Sequence, residues 1–307
     1  MKILLLTLLL ASCRSPAQKP SGDRLGELAE KVRQYIELGQ SEKDANGWIL
    51  PGNCDGLLHN ALAYLGGLVD YEVLKLAEQA PGRWTRTPKG DCLSTGRSKS
   101  SISRDMVLGV ILAAVDKGDK DLLVRLKDYV AQNDFIMGEH DGSVDGRWRV
   151  MMTPSLYKTL IDSISYLSGL KLTEPARLYE VDFTDHLEAI SFYLKSRISG
   201  GALPGGIDTM RFLSEEDPNN ALYLALRAKY DPNLGGLQDA AINVLLREDL
   251  FPSERLPTSE DRCVSYLWEH GENEGDWTPC PAEKKTHPGH DLLFAAHVIY
   301  HQTIKGE

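Results

Sequence analysis

The chain has 307 residues, 42% apolar, 25% charged and 7% aromatic, with 27 Gly and 15 Pro, a balance that excludes a disordered or fibrous protein. Its 34 Lys and Arg stand against 44 Asp and Glu, a net charge of −10 with no long basic cluster. A nucleic-acid partner is therefore excluded, and acidic polysaccharide is disfavoured as a main one.

In chain order, Met1 and Lys2 precede an apolar run over residues 3–10. It is too short to span a bilayer as a mature helix, and residues 1–12 read as a signal peptide. The run closes on Leu10-Ala11-Ser12-Cys13, which resembles the bacterial lipobox. That resemblance implies lipidation of Cys13, cleavage in front of it and anchoring of the chain to a lipid bilayer. Arg14 stands where inner-membrane retention favours Asp, so the resemblance implies sorting to the outer membrane, on its periplasmic or surface face. Residues 13–23, with Pro16, Pro20 and Gly22, read as the lipidated cysteine and a flexible tether, and 24–307 as a single helical domain. With Cys13 set aside, Cys54, Cys92, Cys263 and Cys280 form an even set in an exported chain, so two disulfides are expected. Nearest neighbours would pair Cys54 with Cys92 and Cys263 with Cys280, although four cysteines allow three pairings. Zinc is the second reading, with neither pair at CxxC spacing.

Helical periodicity dominates the rest, in two kinds. Residues 25–38, 121–132 and 154–169 are amphipathic; in the second, Leu122, Leu123, Leu126, Tyr129 and Val130 share a face away from Arg125, Lys127 and Asp128. Residues 106–115 are apolar all round, and 57–69, 221–228 and 292–300 nearly so, as helices surrounded by protein are. Each apolar helix has a polar start: Cys54-Asp55, Arg104-Asp105, Asn219-Asn220 and His290-Asp291. Asp185 opens what reads as a more amphipathic helix. Residues 134–152 suggest a small hairpin, and 81–103, 133–153, 199–218 and 250–289 read as long loops of the functional kind.

The alternation of buried and amphipathic helices resembles the α/α-toroid, or six-hairpin glycosidase-like, superfamily over about residues 24–305. The resemblance implies an all-α ring of helical hairpins, with long loops and the inner-helix N-termini at one mouth. A helical solenoid is the alternative architecture. In such a ring Asp55 and Asp105 would flank a bound sugar and supply the acid and base of glycoside hydrolysis, although Asp is also a preferred N-cap. Glu139 is the candidate general acid, with Glu188 second. His59, one turn beyond Asp55, Arg104 and Arg211 are candidate substrate contacts. Trp84 and Trp148, each beside arginines, suit stacking on a sugar, or else the anchoring of long loops onto the body. His290, His297 and His301 fall on one helical face, but no HExxH motif exists, and Glu139, Asp141 and Asp145 do not meet the spacing of a calcium loop. The reading is accordingly of no metal and no cofactor. The function expected is a monomeric, envelope-anchored lipoprotein with a carbohydrate-active cleft, a glycoside hydrolase before a polysaccharide lyase. The alternative is a non-catalytic lipoprotein that binds a glycan or a partner.

Overall fold

The computed structural model describes residues 22–49, 55–90, 99–141, 149–170, 185–200, 206–231, 234–258, 261 and 286–303. The leader, the lipobox, all five cysteines and Trp148 lie outside the described residues.

The fold is mostly helical, of the all-α class. Its helices are α1 (Gly22–Gly39), α2 (Gly56–Leu65), the single turn α3 (Tyr71–Leu74), α4 (Arg104–Lys117), α5 (Lys120–Gln132), α6 (Pro154–Leu167), α7 (Asp185–Ile198), α8 (Gly206–Glu216), α9 (Ala221–Tyr230), α10 (Leu237–Leu245) and α11 (His290–Thr303). Helix α4 is the clearest case of composition dictating position. Every residue from 106 to 115 is buried, and each Leu, Ile or Val so removed from water contributes roughly 1.5–3 kcal/mol. Gly118 ends it in the left-handed conformation, φ 81°, which only glycine adopts without strain. Asp119 then caps α5, its Oδ1 accepting from the Leu122 N–H at 3.0 Å, and the two-residue link sends α5 back along α4.

Two expectations are corrected. Helix α7 is not amphipathic: His186, Glu188, Ser191, Lys195 and Ser196 are all buried with its apolar residues. It is enclosed by α4, α6, α8 and α9, so polar residues that suggest a solvent face point into protein. The stretch 199–218, read as a loop, contains α8, whose Met210 and Leu213 pack into the core while Phe212 is exposed.

Among the described residues, α2 packs on α4, α4 on α7, α7 on α9, α9 on α11 and α11 back on α2. The other helices pack outside this circuit: α1 on α10 and α11, α5 and α6 on α4, α8 and α10 on α9. The five helices of the circuit point the same way. At their C-terminal ends Tyr64 of α2 and Arg197 of α7 both bond Asp116 of α4, and Tyr230 of α9 bonds Ser196 of α7. At the N-terminal ends His59 of α2 stacks on His290 of α11.

Among the described residues the strands are few and short. Strands β1 (Glu78–Ala80) and β2 (Arg83–Trp84) form one antiparallel pair; β3 (Lys99–Ser100), β4 (Ile136–Asp141) and β5 (Arg149–Met151) form a second sheet in that order. Strands β4 and β5 make the hairpin expected from residues 134–152, with Glu139 opposite Arg149. This sheet covers the N-terminal end of α4: a Cβ on Gly138 would stand 2.5 Å from the Ile102 side chain, just ahead of the helix. The chain enters the hairpin through Asp134 and Phe135, both at positive φ (52° and 61°), a costly conformation for residues with a Cβ.

Candidate functional site

The N-terminal ends of the inner helices gather the polar residues of the core. Asp55 occupies the N-cap position of α2 but makes no capping bond with its side chain. Instead its Oδ1 accepts from Arg86 Nη1 at 2.8 Å, so the residue expected either to cap or to catalyse is held as half of an ion pair. Arg86 is 3% exposed. Its position is set by backbone bonds on either side: Thr85 N–H to Ala77 O and Arg86 N–H to Ser101 O, both 3.0 Å. Gly56 lets this segment close on α2, for a Cβ there would stand 3.2 Å from Arg86 O and 3.4 Å from the Trp48 ring.

One turn into α2, His59 is buried and its ring stacks on that of buried His290, centroids 4.2 Å apart and planes 18° from parallel. Beside it Asn60, with no exposed surface, ties the preceding loop to the helix. Its Oδ1 accepts from Ile49 N–H at 2.9 Å, and its Nδ2 donates to Ile49 O at 3.0 Å and Gly56 O at 2.8 Å. Two bonds to one backbone residue imitate a strand partner, and they hold Ile49 against α2. Asp291 follows His290 and is 1% exposed; His186 and Glu188 in the first turn of α7 are 3% and 6% exposed. Asn220 caps α9, accepting from Tyr223 N–H at 3.3 Å.

The remaining candidates are dispersed. Asp105 is the second residue of α4 and half-buried, Ser103 holds the N-cap position, and Arg104 is exposed. Glu139 lies in β4. Trp84 is 2% exposed: its ring is part of the core, as the anchoring alternative requires, and offers no face to a sugar. Arg211 of α8 donates to Asp231, past the C-terminal end of α9, from Nε at 3.0 Å and Nη2 at 2.8 Å, and to Asp208 at 3.0 Å. It lies away from Asp55 and is engaged in ion pairs.

The opposite ends of the same helices hold a second cluster. It contains His297 and His301 but not His290. The two histidines meet Asp116 of α4, one donor atom from each residue lying within 4.8 Å of the others. Residues eleven apart on a helix stand about 16 Å apart along its axis, so His290 and His301 lie at opposite ends of α11. Burial works against ionisation of Asp116, but the Arg197 guanidinium, Nη1 at 2.6 Å, His297 and the Tyr64 hydroxyl at 3.1 Å outweigh it and hold the carboxyl below its usual range. Burial, with neighbouring His301, lowers the pKa of His297 to about 3, so its imidazole is neutral at physiological pH.

His186 and Asp116 were not singled out from sequence, whereas Asp291 was noted only as part of a polar helix start and Arg86 only as a charge beside Trp84. The signal available for His186 was a polar residue at a helix start. For Asp116 there was none, since an Asp in the last turn of a helix is ordinary.

No family model, curated protein or solved structure matches the chain. No helix among the described residues is long and apolar enough to cross a membrane.

Proposed function

We propose that the chain is an exported lipoprotein, held in the outer membrane through acylated Cys13, with a carbohydrate-active cleft at the N-terminal ends of α2, α4, α7, α9 and α11. The body is an α/α-toroid in this reading. The closed circuit of contacts supports it over a solenoid, in which each repeat touches only its neighbours and the first and last do not meet.

One observation carries the functional reading: His59, His186, Glu188, His290 and Asp291 are buried at the starts of these helices and Arg86 is buried against Asp55, all of them 6% exposed or less. Burying an ionisable side chain costs several kcal/mol unless its partners are excellent, and helix capping needs only one short polar residue per start. Concentrations of such groups are characteristic of sites that move protons. Glycosidic cleavage needs two carboxyl groups, one to donate a proton and one to act as base or nucleophile. Asp55, ion-paired with Arg86 in the resting protein, takes the second role, with Asp105 at the neighbouring helix start beside it. Glu188 takes the first, in preference to Glu139, because it is buried at the start of an inner helix. His59 and Arg104 contact the substrate.

The test is incubation of the detergent-solubilised full chain with peptidoglycan and neutral and amino-sugar polysaccharides, with mass spectrometry of released fragments. Fragments that carry one added water, made by the wild type and lost in Asp55→Asn and Glu188→Gln, support the reading. A folded wild type that releases none across the panel overturns it in favour of a non-catalytic binding lipoprotein.

A further inference from the structure

The cluster at the C-terminal ends of the inner helices is remote from the proposed cleft and has a chemistry of its own. We propose that Asp116, His297 and His301 bind one divalent transition-metal cation through a carboxylate and two imidazoles. His297 and His301 are one turn apart on α11, the spacing that sets two side chains on one face, and their ring centroids are 4.2 Å apart. Asp116 reaches them from α4, so the site exists only when α11 and α4 are both in place beside α2.

Within this cluster the Nε2 nitrogen of His297 is buried and has no hydrogen-bond partner. A buried polar nitrogen left in that state is an uncompensated cost, which a bound cation would remove.

The donor set selects the cation. Two nitrogens and one oxygen suit zinc, cobalt or ferrous iron; calcium and magnesium take oxygen alone. Zinc lies 2.0–2.2 Å from such ligands, which places donors roughly 3.4 Å apart around a tetrahedron. The three atoms, within 4.8 Å of one another, need a short contraction. His301 lies half-buried in the last turn of α11. Three protein ligands leave a fourth position for water or a small ligand. Among the described residues Arg197 donates to Asp116 Oδ1, and Lys229 lies 5.2 Å from the Tyr193 ring, which is itself beside His297. Each carboxylate oxygen has two lone pairs, so Arg197 can keep its bond while the metal takes another, at reduced affinity.

The experiment is titration of the chelator-stripped full chain with cobalt(II), followed by zinc as competitor. Expected are visible bands of nitrogen- and oxygen-ligated cobalt that saturate at one equivalent, with no thiolate charge-transfer band, and that zinc abolishes. Loss of an outer-shell partner alone weakens binding 10- to 100-fold. Asp116→Asn and His301→Gln should therefore each weaken it more than about a hundredfold, while His287→Gln leaves it unchanged. His301→Gln, at the half-buried helix end, guards against loss of the fold, which circular dichroism checks. Absence of saturable bands in the wild type, a thiolate band, or full binding in both folded variants overturns the proposal.

Discussion

Replacement of Gly66 by alanine tests the contact that closes the circuit of inner helices. Gly66 follows α2 at φ −81°, a backbone that alanine adopts freely, so the whole cost is steric. A Cβ there would stand 2.3 Å from Leu293 Cβ, 3.0 Å from its carbonyl carbon and 3.1 Å from its Cα. Packed carbons rest about 3.5–4.0 Å apart, so α2 and α11 must separate by more than about 1 Å, and no side-chain rotation relieves a clash with backbone. Overpacking costs about 1–3 kcal/mol where side chains can yield; with rigid neighbours, about 3 kcal/mol is expected. Two other glycines calibrate the measurement. Gly118 has φ +81° and nothing within 4 Å of a built Cβ, so Gly118→Ala carries strain alone, about 1–2 kcal/mol. Gly26 lies within α1 with nothing within 4 Å, so Gly26→Ala should stabilise by about 0.5–1 kcal/mol. Urea unfolding followed by circular dichroism near neutral pH should rank the midpoints Gly26→Ala, wild type, Gly118→Ala, Gly66→Ala, from highest to lowest. A Gly66→Ala protein as stable as Gly118→Ala would refute the reasoning, for α2 would then not meet α11 there and the circuit would be open.

Asn60→Ala removes three bonds from a residue with no exposed surface and leaves buried Ile49 groups unsatisfied, for a loss of about 3 kcal/mol in the same denaturation assay; a loss under 1 kcal/mol would show that the loop is held otherwise. Arg86→Ala takes the guanidinium from Asp55, which is 23% exposed, so the cost should be about 2 kcal/mol, below the roughly 3–5 kcal/mol of a fully buried pair. Asp119→Ala removes the α5 cap at about 1 kcal/mol. Burial opposes ionisation of Asp119, but the Leu122 N–H, the Tyr71 hydroxyl and Lys75 hold its carboxyl below the usual range. Its folded pKa lies under the unfolded one, so its stabilisation is complete above about pH 4 and is lost as pH falls through the folded value. Asp119→Asn should therefore flatten the acid limb of the stability profile, and an unchanged limb would assign the acid sensitivity to other carboxyls.

Composition and periodicity alone marked four of the five central helices, α2, α4, α9 and α11, and missed α7, whose polar residues read as a solvent face. A run such as residues 106–115, apolar on every side, has no stable place except inside protein, and the polar starts of α2, α4, α9 and α11 are visible because a polar residue next to an apolar run is a local feature of the sequence. The β4–β5 hairpin was legible for the same local reason. What only the tertiary structure decided is where polar side chains go. Glu188 and Lys195 look alike in sequence whether they face water or lie between α4 and α9. The charges around Trp84 suggest a cleft until the ring is seen to pack in the core. His290, His297 and His301 share a helical face, yet the rise of the helix separates the first from the other two, and Asp116 joins them from a helix far off in the chain. Helices are fixed by neighbours a few residues away, but a site is fixed by which helices lie side by side, and contacts of that range leave no periodic trace in a sequence.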